Sequence, residues 1–231
     1  MNLLDATGEA FRLLIAGDAE LWRIIFISLR VSILGLLLAL LPGVAVGYLL
    51  AMRRFSGRRV LVIMVQSLLA FPTVVVGLIL YMLLSRQGPL GSFALLFTQD
   101  AMILGQAILA FPILAAYTLA AVQGADARVH ETALSLGASS LRAALTTLNE
   151  SRFAVTAGVI NGFGRTISEV GCAMMIGGNI AGVTRNITTA IALETSKGEF
   201  AQGIALGLVL VVLALGANVA LALVQGEGGM K

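Results

Sequence analysis

Five stretches of about 20 predominantly apolar residues limit what this chain can fold into. They lie near Ile24–Leu50, Val60–Leu84, Ala101–Val122, Phe153–Ile176 and Gln202–Val224. Each is long enough to cross a bilayer as a helix rising about 1.5 Å per residue. In hydrocarbon every backbone N–H and C=O must be satisfied within the protein, so only helices and closed barrels span. Continuous apolar runs of this length predict helices. Composition agrees, with 58% hydrophobic residues, 12% charged residues and a mean hydropathy of +0.98. Soluble domains carry about 25% charged residues. The expected fold class is an all-α polytopic membrane protein with about five transmembrane helices.

Several functions are excluded at this level. Lys197 sits in ETSKGEF, outside any G-x-x-x-x-G-K-[ST] loop, so the chain has no cradle for a nucleotide. One His and one Cys (Cys172) make neither a metal cluster nor an internal disulfide. No Ser–His–Asp set or soluble pair of catalytic carboxylates is evident, so the chain is not expected to be an enzyme. The net charge of +3 is small and its basic residues lie in loops, which speaks against nucleic acid as a partner. Residues 1–23 carry Asp5, Glu9, Asp18 and Glu20 instead of the basic start of a cleavable signal. They read as an amphipathic interfacial segment presenting Leu3, Leu4, Phe11, Leu14, Ile15 and Trp22 to a membrane surface.

Orientation follows from the arginines. RRFSGRR, between the first two spans, holds Arg53, Arg54, Arg58 and Arg59. The third loop holds Arg128 and Arg142 and ends at Arg152, whereas the second loop offers only Arg86. Basic loops stay in the cytoplasm. The first and third loops are therefore expected inside, the N-terminus outside, and the C-terminus at Lys231 inside.

The third loop, residues 125–150, interrupts the apolar pattern with HETALSLGASSLRAAL. Asp126 is placed to cap a helix, and Gly137 to break it. Val129, Ala133, Leu134 and Leu136 are expected on an apolar side, with His130, Glu131 and Ser135 on the other. A second helix follows with Leu141, Leu145 and Leu148 at i, i+4 and i+7. Spacing alone leaves open a helix pair that merely packs under its own spans.

The fourth span carries polar residues. Asn161, Arg165, Ser168, Glu169 and Cys172 recur at helical spacing and are expected on one face. A charge at mid-membrane is costly unless it faces protein or water, and Arg165 and Glu169 are four apart and able to pair. Either they form a structural lock, or this face lines a path for an anion. Further on, GNIAGVTRN (Gly178–Asn186) places Asn179 and Arg185 in an outer loop, suited to an outer mouth or to plain flexibility. Pro42, Pro72 and Pro112 lie within three spans, and QSLLAFP (66–72) is echoed by QAILAFP (106–112). Four G-x-x-x-G pairs begin at Gly43, Gly158, Gly178 and Gly203. With 26 glycines such pairs arise by chance, so none of them by itself identifies an interface.

ETALSLGAS resembles the E-A-A…G signature of binding-protein-dependent ABC importer permeases, with Glu131, Ala133 and Gly137 matching and Thr132 in place of the middle alanine. Many members continue to a proline-containing ending; TTLNESR here has none. That ending, together with GFGRTISEVGCAMMIGGNIAGVTRNITTAIALET (162–195) and AFPTVVVGLIL in the second span, is most similar to tungstate importer permeases, relatives of the molybdate and sulfate systems. The resemblance covers roughly residues 24–224 and implies a type I importer fold. Residues 225–231 would be a cytoplasmic tail. It implies that Glu131, Thr132, Ala133, Leu134, Gly137, Ala138 and Ser139 form a coupling element docked on an ATPase. The pathway candidates are Asn161, Arg165, Ser168, Glu169 and Asn179. The expected partners are a second copy of the chain, separate ABC ATPase subunits that bind ATP and magnesium, and an extracytoplasmic oxyanion-binding protein. This chain itself is expected to hold no cofactor and to lie in a prokaryotic inner membrane. A gradient-driven anion carrier would leave ETALSLG unexplained, and a membrane scaffold would leave the polar face unexplained.

Overall fold

Asp18 opens the first long helix: its carboxylate accepts the Leu21 amide at 2.8 Å and caps α1 (Ala19–Met52). That satisfies one of the donors every helix start leaves unpaired. The computed structural model describes residues 8, 12 and 15–225, and the helices carry the fold among them. At 34 residues α1 is roughly 51 Å long, well beyond the ~30 Å hydrocarbon core. The expected interfacial segment therefore merges with the first span from Ala19 onward, with Trp22 exposed in the opening turn. Leu3, Leu4, Phe11 and Leu14 fall outside the described residues, as do residues 226–231 of the expected tail.

The second apolar stretch is not one straight helix. α2 (Arg58–Leu69) and α3 (Thr73–Leu84) meet at an angle of 99°. Pro72 lacks an N–H and disfavours helical geometry at Phe71, so the chain turns there. Pro42 lies inside α1, and Pro112 lies inside α4 (Gln99–Gly124), whose Thr98 cap accepts from Ala101 N at 3.3 Å. QSLLAFP and QAILAFP thus end differently, one at a corner and the other within a continuous helix.

The chain continues through α5 (Ala127–Ser135), α6 (Ser140–Glu150), α7 (Arg152–Ile167), α8 (Gly171–Gly177), α9 (Ile187–Lys197) and α10 (Phe200–Gln225). The expected fourth span is α7 followed by α8, interrupted at Ser168–Val170. By length and composition α1, α4 and residues 200–219 of α10 each suffice to cross a membrane, and the bent α2–α3 pair does so only taken together, as a broken span or a re-entrant loop.

The core is a column along the α1–α4 contact. Gly35, Ala39, Gly43 and Gly47 recur every fourth residue on α1 and are buried. A Cβ added at Gly47 would lie 2.5 Å from the Ala115 carbonyl and 2.7 Å from Thr118 Cβ, so only glycine permits this approach. Gly158 and Gly162 of α7 likewise face Tyr117 and Leu36. The other two G-x-x-x-G pairs differ: Gly178 and Gly182 occupy left-handed turns, and a Cβ at Gly207 would meet nothing. At one end of the column Ile27 and Val31 pack with Leu80, Met102 and Ile176; at the other, Leu50 packs with Val65, Ala115 and Leu119. The second end is where α4 gives way to α5.

Candidate functional site

The interrupted loop folds as helix, turn and helix. Asp126 accepts the Arg128 amide at 2.9 Å and forms an ion pair with its guanidinium at 3.1 Å. The backbone N–H first, and the guanidinium second, hold this carboxyl below its usual range. α5 then stops because Gly137 adopts φ +85°, with Gly137 N donating to Leu134 O at 2.9 Å and Ala138 N to Ala133 O at 3.0 Å. Ser139 caps α6, accepting from Arg142 N at 3.4 Å.

The facing of this pair departs from the periodicity. Leu136 is 83% exposed, Leu141 70% and Leu145 57%, so the leucines point away from the bundle. The inward side of α6 is Ala143 and Thr147. His130, expected on the polar side with Glu131 and Ser135, turns inward: its Nδ1 lies 3.4 Å from Tyr48 Oη on α1 and 3.3 Å from Thr147 Oγ1 on α6. A polar ring tied to two neighbouring helices holds that face in, which rotates the leucines out. Glu131, Thr132, Leu134 and Ser139 are exposed, while Ala133 and Ala138 are half-buried beside the turn. Nothing in the sequence marked His130 as a link between helices, since its two partners lie 82 and 17 residues away.

The polar residues of the fourth stretch do not share one helical face, because the helix breaks among them. Ser168 ends α7 with its hydroxyl donating to Gly164 O at 2.6 Å. Arg165, in the last turn of α7, reaches across the break to Glu169, with NH1 2.7 Å from Oε2. The other carboxylate oxygen of Glu169 accepts Cys172 N at 3.0 Å, at the start of α8. The cation thus sits at a helix C-terminus and the anion at a helix N-terminus, each favoured by the local backbone dipoles. Glu169 is buried at 2% exposure, and its carbonyl accepts the Thr188 hydroxyl at 2.6 Å. The Arg165 side chain keeps 43% exposure, and Asn161 and Ser168 are exposed beside it. Cys172 lies in the core.

The following loop is built into the protein. Thr184, fully buried, donates to Gly177 O and accepts from Ile180 N. Arg185 pairs with Glu20 at 3.1 Å, and Gln99 donates to Val183 O at 2.7 Å. Asn179 adopts φ +50°, and its side-chain oxygen is buried with no hydrogen-bond partner among the described residues. It is therefore separate from the Arg165–Glu169 pair in sequence and in contacts.

Residues 43–225 match the model of the family described as binding-protein-dependent transport system inner membrane component. A tungstate uptake system permease protein of Campylobacter jejuni is 44% identical, over 94% of this chain and 90% of its own. A second tungstate uptake permease, from Peptoclostridium acidaminophilum, is 36% identical over 97% of this chain and 100% of its own. A probable anion ABC transporter permease protein of Haloferax volcanii is 40% identical over 87% of this chain and 90% of its own.

Proposed function

From the premise that the chain belongs to the family of binding-protein-dependent transport system inner membrane components, we propose that it is the permease of a tungstate importer driven by separate ATPase subunits. It is a membrane-embedded ABC permease. The substrate reading rests on one observation: similarity to a tungstate uptake permease extends over 94% of the chain.

The loop supplies the coupling in this reading. Leu136, Leu141 and Leu145 project away from the bundle around a turn held by Gly137, with Glu131 exposed alongside. A pair that only packed under its own spans would turn its leucines inward. Exposed leucines beside a carboxylate suit a cytosolic ATPase surface, with the loop arginines keeping this end inside and the N-terminus outside. ATP and magnesium are bound by that ATPase. Closure of the ATPases displaces α5 and α6, which lead directly into α4 and α7, while His130 carries the displacement to Tyr48 of α1. A bundle with two packings converts this into opening on the outer side, where a binding protein delivers the oxyanion. Two copies enclose the path.

Arg165 fits the passage of a doubly charged oxyanion. Glu169 neutralises part of its charge, and its half-exposed guanidinium retains N–H groups for a passing anion. Transport needs such weak compensation, since a site that binds too well does not release.

The test is uptake of tungstate into vesicles holding the permease, its ATPase and its binding protein, in competition with molybdate and sulfate. ATP-dependent tungstate uptake that resists excess sulfate is expected. ATP-independent flux, with no ATPase co-purifying, would establish a gradient-driven carrier and sink the importer reading. Molybdate as the preferred substrate would overturn only the choice of oxyanion.

A further inference from the structure

An apolar groove opens where the end of α1 meets the start of α2. Val46, Leu49, Leu50, Phe55 and Leu61 line it together with Arg53 and Arg54, which follow the last turn of α1. The groove is held in shape from within: Arg58 donates from Nε to the Leu50 carbonyl at 2.6 Å, fixing the start of α2 against α1. Gly57, at φ +90°, makes the turn between them. Leu49, Phe55 and Leu61 are each more than two-fifths exposed. Arg53 and Arg54 are exposed, and none of the four ion pairs among the described residues involves an arginine of this loop. No carboxylate lines the groove, and RRFSGRR contains none.

We propose that this groove binds one anionic phospholipid per protomer, with the headgroup phosphate on Arg53 and Arg54 and an acyl chain along Val46, Leu49 and Leu61. The order of polarity carries the argument. Val46 to Arg53 covers about 10 Å of helix, so the groove runs from an apolar floor to a cationic rim over the depth that separates acyl chain from phosphate. A free anion would use only the rim, and a soluble peptide would have to leave water to reach the floor. An anionic lipid matches both ends and is already present at the boundary where α1 leaves the membrane. Guanidinium is also the side-chain cation best suited to phosphate oxygens. The site is independent of which oxyanion the protein carries, and it is distant in sequence from the α5–α6 turn.

Native mass spectrometry of the whole detergent-purified complex tests it, with phosphatidylglycerol and phosphatidylcholine titrated in turn. One phosphatidylglycerol per protomer should be retained in preference to phosphatidylcholine. The double variant R53Q/R54Q should weaken that retention about twenty-five-fold, from about fivefold per arginine. Both side chains are exposed, so folding is spared, and R53K/R54K should restore most of the binding. Equal retention of phosphatidylcholine would overturn the proposal, as would displacement of the lipid by millimolar inorganic phosphate. Unchanged phosphatidylglycerol retention in R53Q/R54Q, or loss of subunit association without loss of lipid, would overturn it as well.

Discussion

Glu169 is a buried carboxylate whose two oxygens do different things. One accepts the Cys172 amide at the start of α8, and the other holds the Arg165 guanidinium at the end of α7. Replacing it with alanine leaves the Cys172 amide without its acceptor, at a cost of about 1–3 kcal/mol. Glutamine keeps an acceptor there and gives up only the charge, so E169Q should fall between the wild type and E169A. Thermal unfolding in detergent reads the order at roughly 2–4 °C per kcal/mol for a chain of this size; an E169A protein as stable as wild type would refute the capping role. R165Q separates structure from transport. It leaves the buried Glu169 carboxylate without its counter-ion, so stability should fall, and in the protein that folds uptake should drop if the guanidinium meets the oxyanion. Unchanged uptake in a folded R165Q protein would leave the pair as a structural lock. The i, i+4 spacing of these residues was legible in the sequence. The break at Ser168–Val170 was not, because neither proline nor a glycine at 168–170 signals it; the interruption is fixed by contacts such as Thr188 on the Glu169 carbonyl, 19 residues away.

The α5–turn–α6 element was legible in its outline but not in its facing. Asp126 and Gly137 act locally, through capping and a left-handed turn, so residue type and order reveal them. Which face turns inward depends on Tyr48 and Thr147 meeting His130, a tertiary contact that periodicity does not encode. The cap has a defined pH window. Its folded carboxyl is held below the usual value of about 3.9, so its stabilisation is present above that value and is lost as pH falls through the lower folded one. Amide exchange at the start of α5 should therefore be equally protected by this cap from pH 5 to 8 and lose that protection only in acid, while D126A lacks it throughout. Charge reversal at the exposed Glu131 tests docking. E131K should insert and fold normally but lose ATP-driven uptake and ATPase association, and normal uptake in E131K would count against the docking role.

At the scale of the molecule, one packing decision holds the bundle together: α1 and α4 approach until backbone meets side chain. Three apolar spans were legible as single helices, because length and hydropathy define them directly. The bent α2–α3 pair was not, since only one of three prolines makes a corner, and nothing in QSLLAFP distinguishes it from QAILAFP. The glycine pairs show the same limit, because one motif has two meanings here. Gly47 faces the Ala115 carbonyl and Thr118 Cβ, neither able to swing away, whereas Gly207 faces open space in the protomer. G47A should therefore force α1 and α4 apart and destabilise by about 1–3 kcal/mol, the usual cost of overpacking. G207A adds a better helix former without a clash, and should be neutral or stabilise by up to about 1 kcal/mol. Thermal unfolding of the two variants in the same detergent decides between them. Equal losses would mean that glycine content, and not the α1–α4 contact, sets the stability. A loss confined to G47A would place the rigid axis of the bundle at α1 and α4, the first meeting α5 through Tyr48 and the second leading into it.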